Sequence, residues 1–374
     1  MSIEIPVYPE DVSAIFLSEL VGELRPGVTV EAVDVLAVRG YGDADTSHSV
    51  STSTQVSFEV RYGGAAHEEL PTRLLAKMPI PNEVECANPE LGPLFENEVE
   101  FYRRLRPELD GIEAPLGLGG RFDQESGRYM LLMEDITVRS PHINSMMDPD
   151  NIPGVEAILD TYAKLHARNW CSPRFETDLS WVQGQVEGSM EDMFDRFIRD
   201  HVVNELAREN YKREFAEEAG ATEAGMYFAE KALKRHHAKL PQTFLHGDGH
   251  IGNTYVLPDG TGGLFDFQVC CRGYFMFDVA YLLHTGLSVD MRRRKERDLL
   301  AMYLDRLQSH GVRDAPDMVT VWNEYRLMAL HSFYLGWLTA PRENYGLEVC
   351  VIGNHRTKTA FQDLETLKLM QDLL

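Results

Sequence analysis

The residues best suited to chemistry lie in the segment from His246 to Asn253 and in a second stretch around Asp266. The first reads His-Gly-Asp-Gly-His-Ile-Gly-Asn and the second reads Phe-Asp-Phe-Gln. The carboxylate of Asp248 can accept a proton from a hydroxyl group, and the oxygens of Asn253 and Asp266 are the hard ligands that magnesium prefers. A proton acceptor and two magnesium ligands form the minimal polar set for phosphoryl transfer.

The spacing within the first segment is that of the protein-kinase catalytic loop, whose pattern is H-x-D-x-x-x-x-N. We expect Asp248 to act as the base and His246 to support the loop. Gly247, Gly249 and Gly252 permit the tight backbone turns that a loop crowded with polar groups requires. The leading hypothesis is an ATP-dependent kinase that uses Mg²⁺ and phosphorylates a hydroxyl of a small acceptor.

Two other interpretations of this segment stay open. His246, Asp248 and His250 alternate along the chain, so an extended backbone would point all three side chains the same way, as in a zinc or two-metal hydrolase. That interpretation lacks further histidines at a suitable spacing. The other alternative is a kinase fold that binds nucleotide but is catalytically weak, which the retention of Asp248, Asn253 and Asp266 disfavours.

Phosphoryl transfer also needs positive charge on the nucleotide phosphates, and Lys77 is the candidate for that role. It ends the apolar strand 74–76, and Glu98 on the next predicted helix is a suitable partner, because kinases pair such a lysine with a helical glutamate. A Gly- and Ser-rich turn carries Gly40 and Gly42, whose backbone amides could cover phosphates, although the full G-x-G-x-x-G pattern is missing.

Each of these residues alone has an ordinary structural explanation. A lysine can end a strand at the surface, a glutamate can lie on a solvated helix face, and a glycine-rich turn can simply join two strands. The specificity comes from the order of the features along the chain, each in its predicted structural setting.

The sequence pattern predicts an α+β protein with two parts. Before Asp135, it predicts a helix capped by Asp11 and ending near Leu24, an antiparallel meander between residues 28 and 78, a helix over 94–105 and a strand over 129–133. After it, the pattern is mainly helical, with a hairpin around Pro258-Asp259-Gly260 that would bring Asn253 and Asp266 to one end. The longer predicted helices are 155–169, 190–218, 222–240, 293–308, 316–338 and 354–374. We expect a nucleotide-binding domain over 1–134 and a catalytic and acceptor-binding domain over 135–374.

Five stretches together resemble the aminoglycoside phosphotransferase and choline kinase superfamily, and within it the branch of ecdysteroid-kinase-like proteins. The similar stretches are the catalytic loop Leu245–Asn253, the metal-site stretch Phe265–Gln268, the hinge Leu131–Asp135, the helix Ala163–Ala167 and the segment Phe277–Leu283. The resemblance covers most of the chain between residues 33 and 283. Gly249 and Ile251 depart from the apolar residue and the proline that the family commonly has at these positions.

The resemblance implies a bilobal protein-kinase-like fold, with a small N-terminal lobe and a larger, mainly helical C-terminal lobe. It implies ATP and Mg²⁺ as cofactors. Asp248 would be the base, Asn253 and Asp266 the magnesium ligands, and Lys77 with its partner Glu98 the phosphate-binding pair. The hinge residues Met133 and Glu134 would lie beside the nucleotide. Asp278 in the last similar segment is expected to cap the following helix.

The composition excludes several classes of protein. The chain has 374 residues and a formal net charge of −23, which argues against a nucleic-acid partner because phosphate neutralisation needs a basic face. The run Arg292–Lys295 is read as the solvated start of a helix. Five cysteines without a CxxC pair favour a reduced, cytoplasmic setting. Neither a secretory signal nor a membrane span is expected.

The acceptor is not determined by the sequence. Residues 174–230 contain 14 acidic and 6 Lys or Arg residues, which would attract a cationic acceptor or simply keep the surface hydrated. Four aromatic residues, Tyr325, Phe333, Tyr334 and Trp337, could line an apolar pocket, but at helical spacing such residues usually belong to the core. Aminoglycosides, amino alcohols and sterol-like alcohols remain open, as do the choice between ATP and GTP and the oligomeric state.

Overall fold

The structure is a computed structural model that describes residues 4–40, 53–64, 68–80 and 91–373. The chain divides into two compact units, residues 1–141 and 142–374. The first unit holds an antiparallel sheet and the second is mainly helical, so the predicted α+β class is confirmed.

The first unit is built on a five-stranded antiparallel sheet with the order β1-β2-β3-β5-β4. The strands are β1 (Val28–Arg39), β2 (Thr54–Gly64), β3 (Arg73–Met78), β4 (Gly117–Phe122) and β5 (Tyr129–Glu134). The sequence predicted all of them except β4, whose glycine-rich text Gly-Leu-Gly-Gly lacks the branched and aromatic residues that mark a strand.

The first helix, α1 (Ala14–Leu24), covers one face of this sheet. Its apolar side, with Phe16 and Leu20 at its centre, packs on residues of β2, β3 and β5 that are also buried. Ser13 caps the helix, because its hydroxyl accepts a hydrogen bond from the backbone N–H of Phe16 at 3.1 Å. The prediction that Asp11 is the cap is wrong, since Asp11 lies in a preceding 3₁₀ turn.

Strand alternation determines what the opposite face of the sheet carries. Leu74, Ala76 and Met78 of β3 lie in the core with α1, so Lys77 points to the other side. That side faces helix α2 (Gly92–Glu100), which continues as a π-helical turn over Phe101–Leu105. The predicted helix over 94–105 is therefore present, but its last turn is wider than an α-helix.

The second unit contains ten α-helices among the described residues. They are α3 (Ile152–Arg168), α4 (Ser189–Arg208), α5 (Asn210–Ala219), α6 (Glu223–His237), α7 (Met276–Gly286), α8 (Val289–Ser309), α9 (Met318–His331), α10 (Arg342–Tyr345), α11 (Leu347–Asp363) and α12 (Thr366–Leu373). A π-helical segment over Ser332–Leu338 follows α9. The structure divides the predicted helix 190–218 at Glu209, whose extended backbone separates α4 from α5.

Two short antiparallel ribbons interrupt the helices of the second unit. One pairs β6 (Thr243–Leu245) with β9 (Cys271–Gly273), and the other pairs β7 (Thr254–Val256) with β8 (Gly262–Leu264). The second ribbon is the predicted hairpin, closed by a turn in which Leu257 N–H donates to the Thr261 carbonyl at 2.9 Å. Helix α3 anchors it, because Thr161 Oγ1 donates to the Gly262 carbonyl at 2.7 Å.

Burial corrects one sequence-based interpretation and confirms another. Arg292 is only 1% exposed and forms ion pairs with Glu296 and Asp363, so the interpretation of 292–295 as a solvated helix start is wrong for this residue. The aromatic residues between 325 and 337 are buried, which confirms that they belong to the core.

In the part of the chain that the structure describes, no helix has the length and apolar character to cross a bilayer.

The close approach of α1 to β4 generates a stability test. A Cβ atom on Gly119 would lie 2.6 Å from the carbonyl oxygen of Leu20, so Gly119→Ala should lower the free energy of unfolding by about 1–3 kcal/mol. Gly22→Ala is the matched control within α1, because its Cβ would meet the nearest atom at 4.0 Å and alanine favours helix. Urea denaturation followed by circular dichroism measures both, and equal stability of the two variants would contradict the described packing.

Candidate active site

The segment from His246 to Asn253 follows β6 and is held by one buried carboxylate. Asp278 in the first turn of α7 is fully buried. Its Oδ2 accepts a hydrogen bond from the backbone N–H of His246 at 2.8 Å, and its Oδ1 accepts one from Gly247 N–H at 2.9 Å. Two bonds from consecutive amides to one carboxylate fix both the position and the direction of the chain as it leaves the strand.

Asp278 is positioned in turn by a buried chain of polar side chains. His166 of α3 lies with Nε2 3.1 Å from Asp278 Oδ2 and with Nδ1 2.7 Å from the Tyr303 hydroxyl. All three side chains are inaccessible to solvent. The expectation that Asp278 caps α7 is wrong, because both of its oxygens bond to the loop and none of its bonds closes that helix.

His246 connects this loop to the stretch that carries Asp266. Its Nε2 lies 2.8 Å from the Phe265 carbonyl and therefore donates to it, while its Nδ1 accepts the backbone N–H of Asp248 at 3.3 Å. The predicted supporting role of His246 is confirmed. Since both ring nitrogens are engaged and the residue is fully buried, His246 is not available as a metal ligand, which contradicts the hydrolase interpretation.

The glycine after His246 has no permitted substitute at this turn. Gly247 adopts φ +85°, and a Cβ atom there would lie 2.0 Å from the carbonyl oxygen of Val269. Gly249 is also enclosed, because its Cβ would lie 2.8 Å from the Tyr162 hydroxyl. Glycines at these positions let the loop lie directly against the surrounding backbone.

Asp248 is the one acidic residue of the loop, and its carboxylate is accessible to solvent. Its side chain is 38% exposed, and Asn253 Nδ2 donates to its Oδ2 at 3.0 Å and to its backbone carbonyl at 2.9 Å. His250 lies behind it, with Nε2 3.8 Å from Asp248 Oδ2. Burial holds the pKa of His250 below its usual value, even though the Asp248 and Asp266 carboxylates favour its protonated form. The imidazole is therefore a neutral neighbour of both carboxylates.

Asp266 reaches the same region from the other ribbon. Phe265 N–H donates to the Asn253 carbonyl at 3.1 Å. This bond extends the pairing of β7 with β8 by one residue and sets Phe265 beside Asn253. Asp266 itself adopts φ +67°, a left-handed conformation that is unusual for a residue other than glycine. Such backbone strain is often found where a side chain must be directed at a ligand. The structure thus bonds Asn253 to Asp248 and places Asp266 one residue beyond Phe265, the backbone partner of Asn253.

In the first unit the structure pairs Lys77 with Glu98. Lys77 Nζ lies 2.8 Å and 2.9 Å from the two carboxylate oxygens of Glu98, and both residues are buried. The pair forms because β3 directs Lys77 towards α2, where Glu98 lies. Removing two charges from water is costly, so a buried pair of this kind is more typical of a functional site than of a stabilising contact.

The predicted hinge residues lie at the end of β5, next to β3. Met133 pairs with Leu75, and Glu134 pairs with Leu74. The Glu134 side chain accepts the Leu116 N–H at 2.9 Å and binds the Arg139 guanidinium, and its backbone N–H donates to the Leu116 carbonyl. That N–H is therefore already occupied.

The glycine-rich turn is only partly described. Gly40 directly follows β1 and is partly buried, while Gly42 lies outside the described residues.

Sequence reasoning missed the chain of Tyr303, His166 and Asp278. His166 and Asp278 both lie in stretches that resemble the family, and this resemblance marked each of them. The contact between them was not predictable from the sequence, because the residues lie 112 positions apart and meet only when α3 and α7 pack.

Comparison with known proteins assigns the family. The model of the phosphotransferase enzyme family matches residues 87–318, which is more than half of the chain. The chain belongs to the phosphotransferase enzyme family. The predicted superfamily and the predicted enzyme class are confirmed, whereas the narrower ecdysteroid-kinase-like branch stays a prediction. A search of curated proteins found no match.

Several solved structures are similar at low identity. A Plasmodium vivax ethanolamine kinase is 10% identical, with 92% of this chain and 84% of that chain covered and a TM-score of 0.46. The choline kinase LicA from Streptococcus pneumoniae is 14% identical, with 88% and 94% covered and a TM-score of 0.44. A spectinomycin phosphotransferase in complex with ADP and spectinomycin is 11% identical, with 95% and 99% covered and a TM-score of 0.47. These similarities are too distant to assign a substrate.

The role of Asp278 in holding the loop predicts a loss of turnover. In Asp278→Asn, one of the two backbone N–H groups faces an amide NH₂ instead of an oxygen, so the phosphotransferase kcat should fall about 100-fold as the loop shifts. Asp160→Asn is the control, because Asp160 lies on the surface of α3 in an ion pair with Lys164. If Asp278→Asn lowered the melting temperature but left kcat unchanged, the carboxylate would have a structural role only.

Proposed function

We propose that this phosphotransferase moves the γ-phosphate of ATP to a hydroxyl group of a small molecule, with Mg²⁺ as the cofactor. Residues 1–134 form the nucleotide-binding part and residues 135–374 the catalytic and acceptor-binding part of this proposal. A cytoplasmic setting belongs to it too, since ATP and Mg²⁺ are available there. The observation that supports it is the loop held by two buried hydrogen bonds to Asp278, on which Asn253 bonds Asp248 and pairs through its backbone with Phe265, the neighbour of Asp266.

Asp248 has the environment that a base for a hydroxyl acceptor needs. Its carboxylate is accessible, while Asn253 Nδ2 holds one of its oxygens in place. The second carboxylate oxygen can then face the hydroxyl group of the acceptor. It would take the hydroxyl proton as the hydroxyl oxygen attacks phosphorus. His250 stays neutral beside it and adds no competing positive charge.

Asn253 and Asp266 fit the requirements of a magnesium site. The Asn253 amide uses its nitrogen to bond Asp248, which directs the amide oxygen to the opposite side. Asp266 adds a carboxylate from just beyond β8, the partner strand of the β7 strand that follows Asn253, and oxygen donors of this kind suit Mg²⁺. When bound, Mg²⁺ would neutralise charge on the nucleotide phosphates. The protein contributes two fixed oxygen ligands and a loop that keeps Asp248 beside them.

Lys77 supplies the positive charge that the phosphates require. Glu98 holds the ammonium group in one place at the end of β3 through both of its oxygens. A fixed cation of this kind stabilises phosphate charge without reorganising during the reaction. Gly40, Gly42, Met133 and Glu134 complete the proposed nucleotide contacts, with Glu134 contributing through groups other than its occupied N–H.

The acceptor class is left to experiment, because the acidic surface between residues 174 and 230 is largely neutralised. Glu191, Asp195 and Glu205 form ion pairs with lysines at 2.6 Å, 2.6 Å and 2.5 Å. Paired carboxylates exert little long-range attraction on a cation. A panel of aminoglycosides, amino alcohols and sterol-like alcohols should be incubated with ATP and Mg²⁺, and phosphorylated products should be detected by mass spectrometry.

Replacing the proposed base should remove turnover but not nucleotide binding. Asp248→Asn keeps an oxygen that can accept the Asn253 N–H yet cannot take a proton, so kcat should fall about 10²–10⁴-fold while ADP affinity is retained. Asp259→Asn is the matched control, because this exposed aspartate lies in the turn of the neighbouring β7–β8 hairpin. If Asp248→Asn had full activity on an acceptor that the wild type phosphorylates, the assignment of Asp248 as the base would be refuted.

The Lys77–Glu98 pair offers an independent test of nucleotide binding. Lys77→Met should lower kcat/KM for ATP about 100–1000-fold, as expected for loss of a positioned charge. This variant also leaves the buried Glu98 carboxylate without its lysine, which costs stability. The double variant Lys77→Met with Glu98→Gln removes that charge and should recover the melting temperature but not the activity. Recovery of both would show that the pair acts only in folding.

A further inference from the structure

A second cluster of metal-binding side chains lies at the end of α6, apart from the phosphotransfer residues. His236 and His237 close this helix, and Glu324 approaches them from α9. His236 Nε2 lies 3.0 Å from Glu324 Oε1, and His237 Nε2 lies 3.0 Å from Glu324 Oε2. One ligand atom from each residue falls within 4.8 Å of the others, the only such group of three among the described residues.

The three donors match a known class of zinc site. Two imidazole nitrogens and one carboxylate oxygen are the protein ligands of several zinc enzymes, which leave the fourth position to water. At bond lengths of about 2.1 Å, tetrahedral ligands lie roughly 3.4 Å apart. The observed nitrogen–oxygen separations of 3.0 Å would need to widen by only a few tenths of an ångström. His236 is 36% exposed, so its ring has room for this shift.

The cluster is open to solvent on one side. His236 lines a cavity of about 510 Å³ together with Asp372 and Leu373 near the end of the chain. Of the three donors, His236 is the one that lines this opening, so an ion would reach the cluster from the side of His236. Arg235 and Lys239 line the same cavity, and their charges should make cation binding weaker than in a fully acidic site.

A buried hydroxyl next to the cluster has no partner among the described residues. The Tyr274 ring lies 5.3 Å from the His237 ring, and its hydroxyl makes no hydrogen bond within the described part of the chain. Water bound to an ion at the cluster would give this hydroxyl a hydrogen-bond partner.

We propose that His236, His237 and Glu324 bind one Zn²⁺ ion, with solvent from the adjoining cavity completing its coordination. Such an ion would tie the end of α6 to α9, because its ligands come from both helices. The proposal does not depend on the phosphotransfer reaction, since none of its ligands belongs to the loop around Asp248.

Metal titration of the full-length chain tests this site. Chelator-treated protein is titrated with Zn²⁺ by calorimetry and with Co²⁺ by visible absorption, in the presence of excess Mg²⁺ and ADP to occupy the phosphotransfer site. The wild type should bind one ion and give the intense bands of a low-symmetry Co²⁺ site. His236→Gln changes a half-exposed residue and should weaken binding about 100-fold or more, as should Glu324→Gln.

Two histidine controls separate this site from other binding. His142→Gln removes an exposed histidine that pairs with Asp148 at 2.8 Å, and His250→Gln removes the histidine beside Asp248. Both should still bind one ion. The proposal is overturned if the wild type binds no Zn²⁺, if His236→Gln binds it as tightly as the wild type, or if binding is lost in His250→Gln.

Discussion

The arrangement of the proposed phosphotransfer residues depends on one buried carboxylate, that of Asp278. It accepts two consecutive backbone N–H groups at the start of the loop, and this determines where Asp248 and Asn253 emerge. A charge in the interior is tolerated only when its oxygens are bonded, and here His166 and the two amides satisfy them. The loop is thus held by groups that cannot move without leaving a charge unsatisfied.

The second requirement is that the stretch carrying Asp266 keep a fixed position relative to the loop. His246 meets this requirement. Its ring bonds the Asp248 N–H on one side and the Phe265 carbonyl on the other. The β7–β8 ribbon adds a backbone bond between Asn253 and Phe265. Because these connections are made by backbone and buried ring atoms, the spacing of Asp248, Asn253 and Asp266 is independent of flexible surface side chains. In the first unit, β3 and α2 likewise position Lys77 and Glu98 through regular backbone structure.

The structure departs from the sequence-based expectations where local patterns had more than one solution. Asp11 and Ser13 are both good helix caps, and in the structure Asp11 belongs to a 3₁₀ turn while Ser13 caps α1. Arg292 stands in a run of basic residues that looks solvated, yet Asp363 comes from a distant helix to neutralise it. The predicted helix over 190–218 contains neither proline nor glycine, yet the extended backbone of Glu209 divides it.

The sequence by itself determined the types and spacing of the reactive groups, because H-x-D-x-x-x-x-N and the hairpin after it are local features whose geometry follows from nearest neighbours. It also determined the α+β class, the Lys77–Glu98 pairing and four of the five strands of the first unit. Only the tertiary structure decided that Asp278 and His166 hold the loop, and that His236, His237 and Glu324 meet. These contacts join residues 31 to 112 positions apart, and such contacts are set by how helices pack rather than by any local pattern.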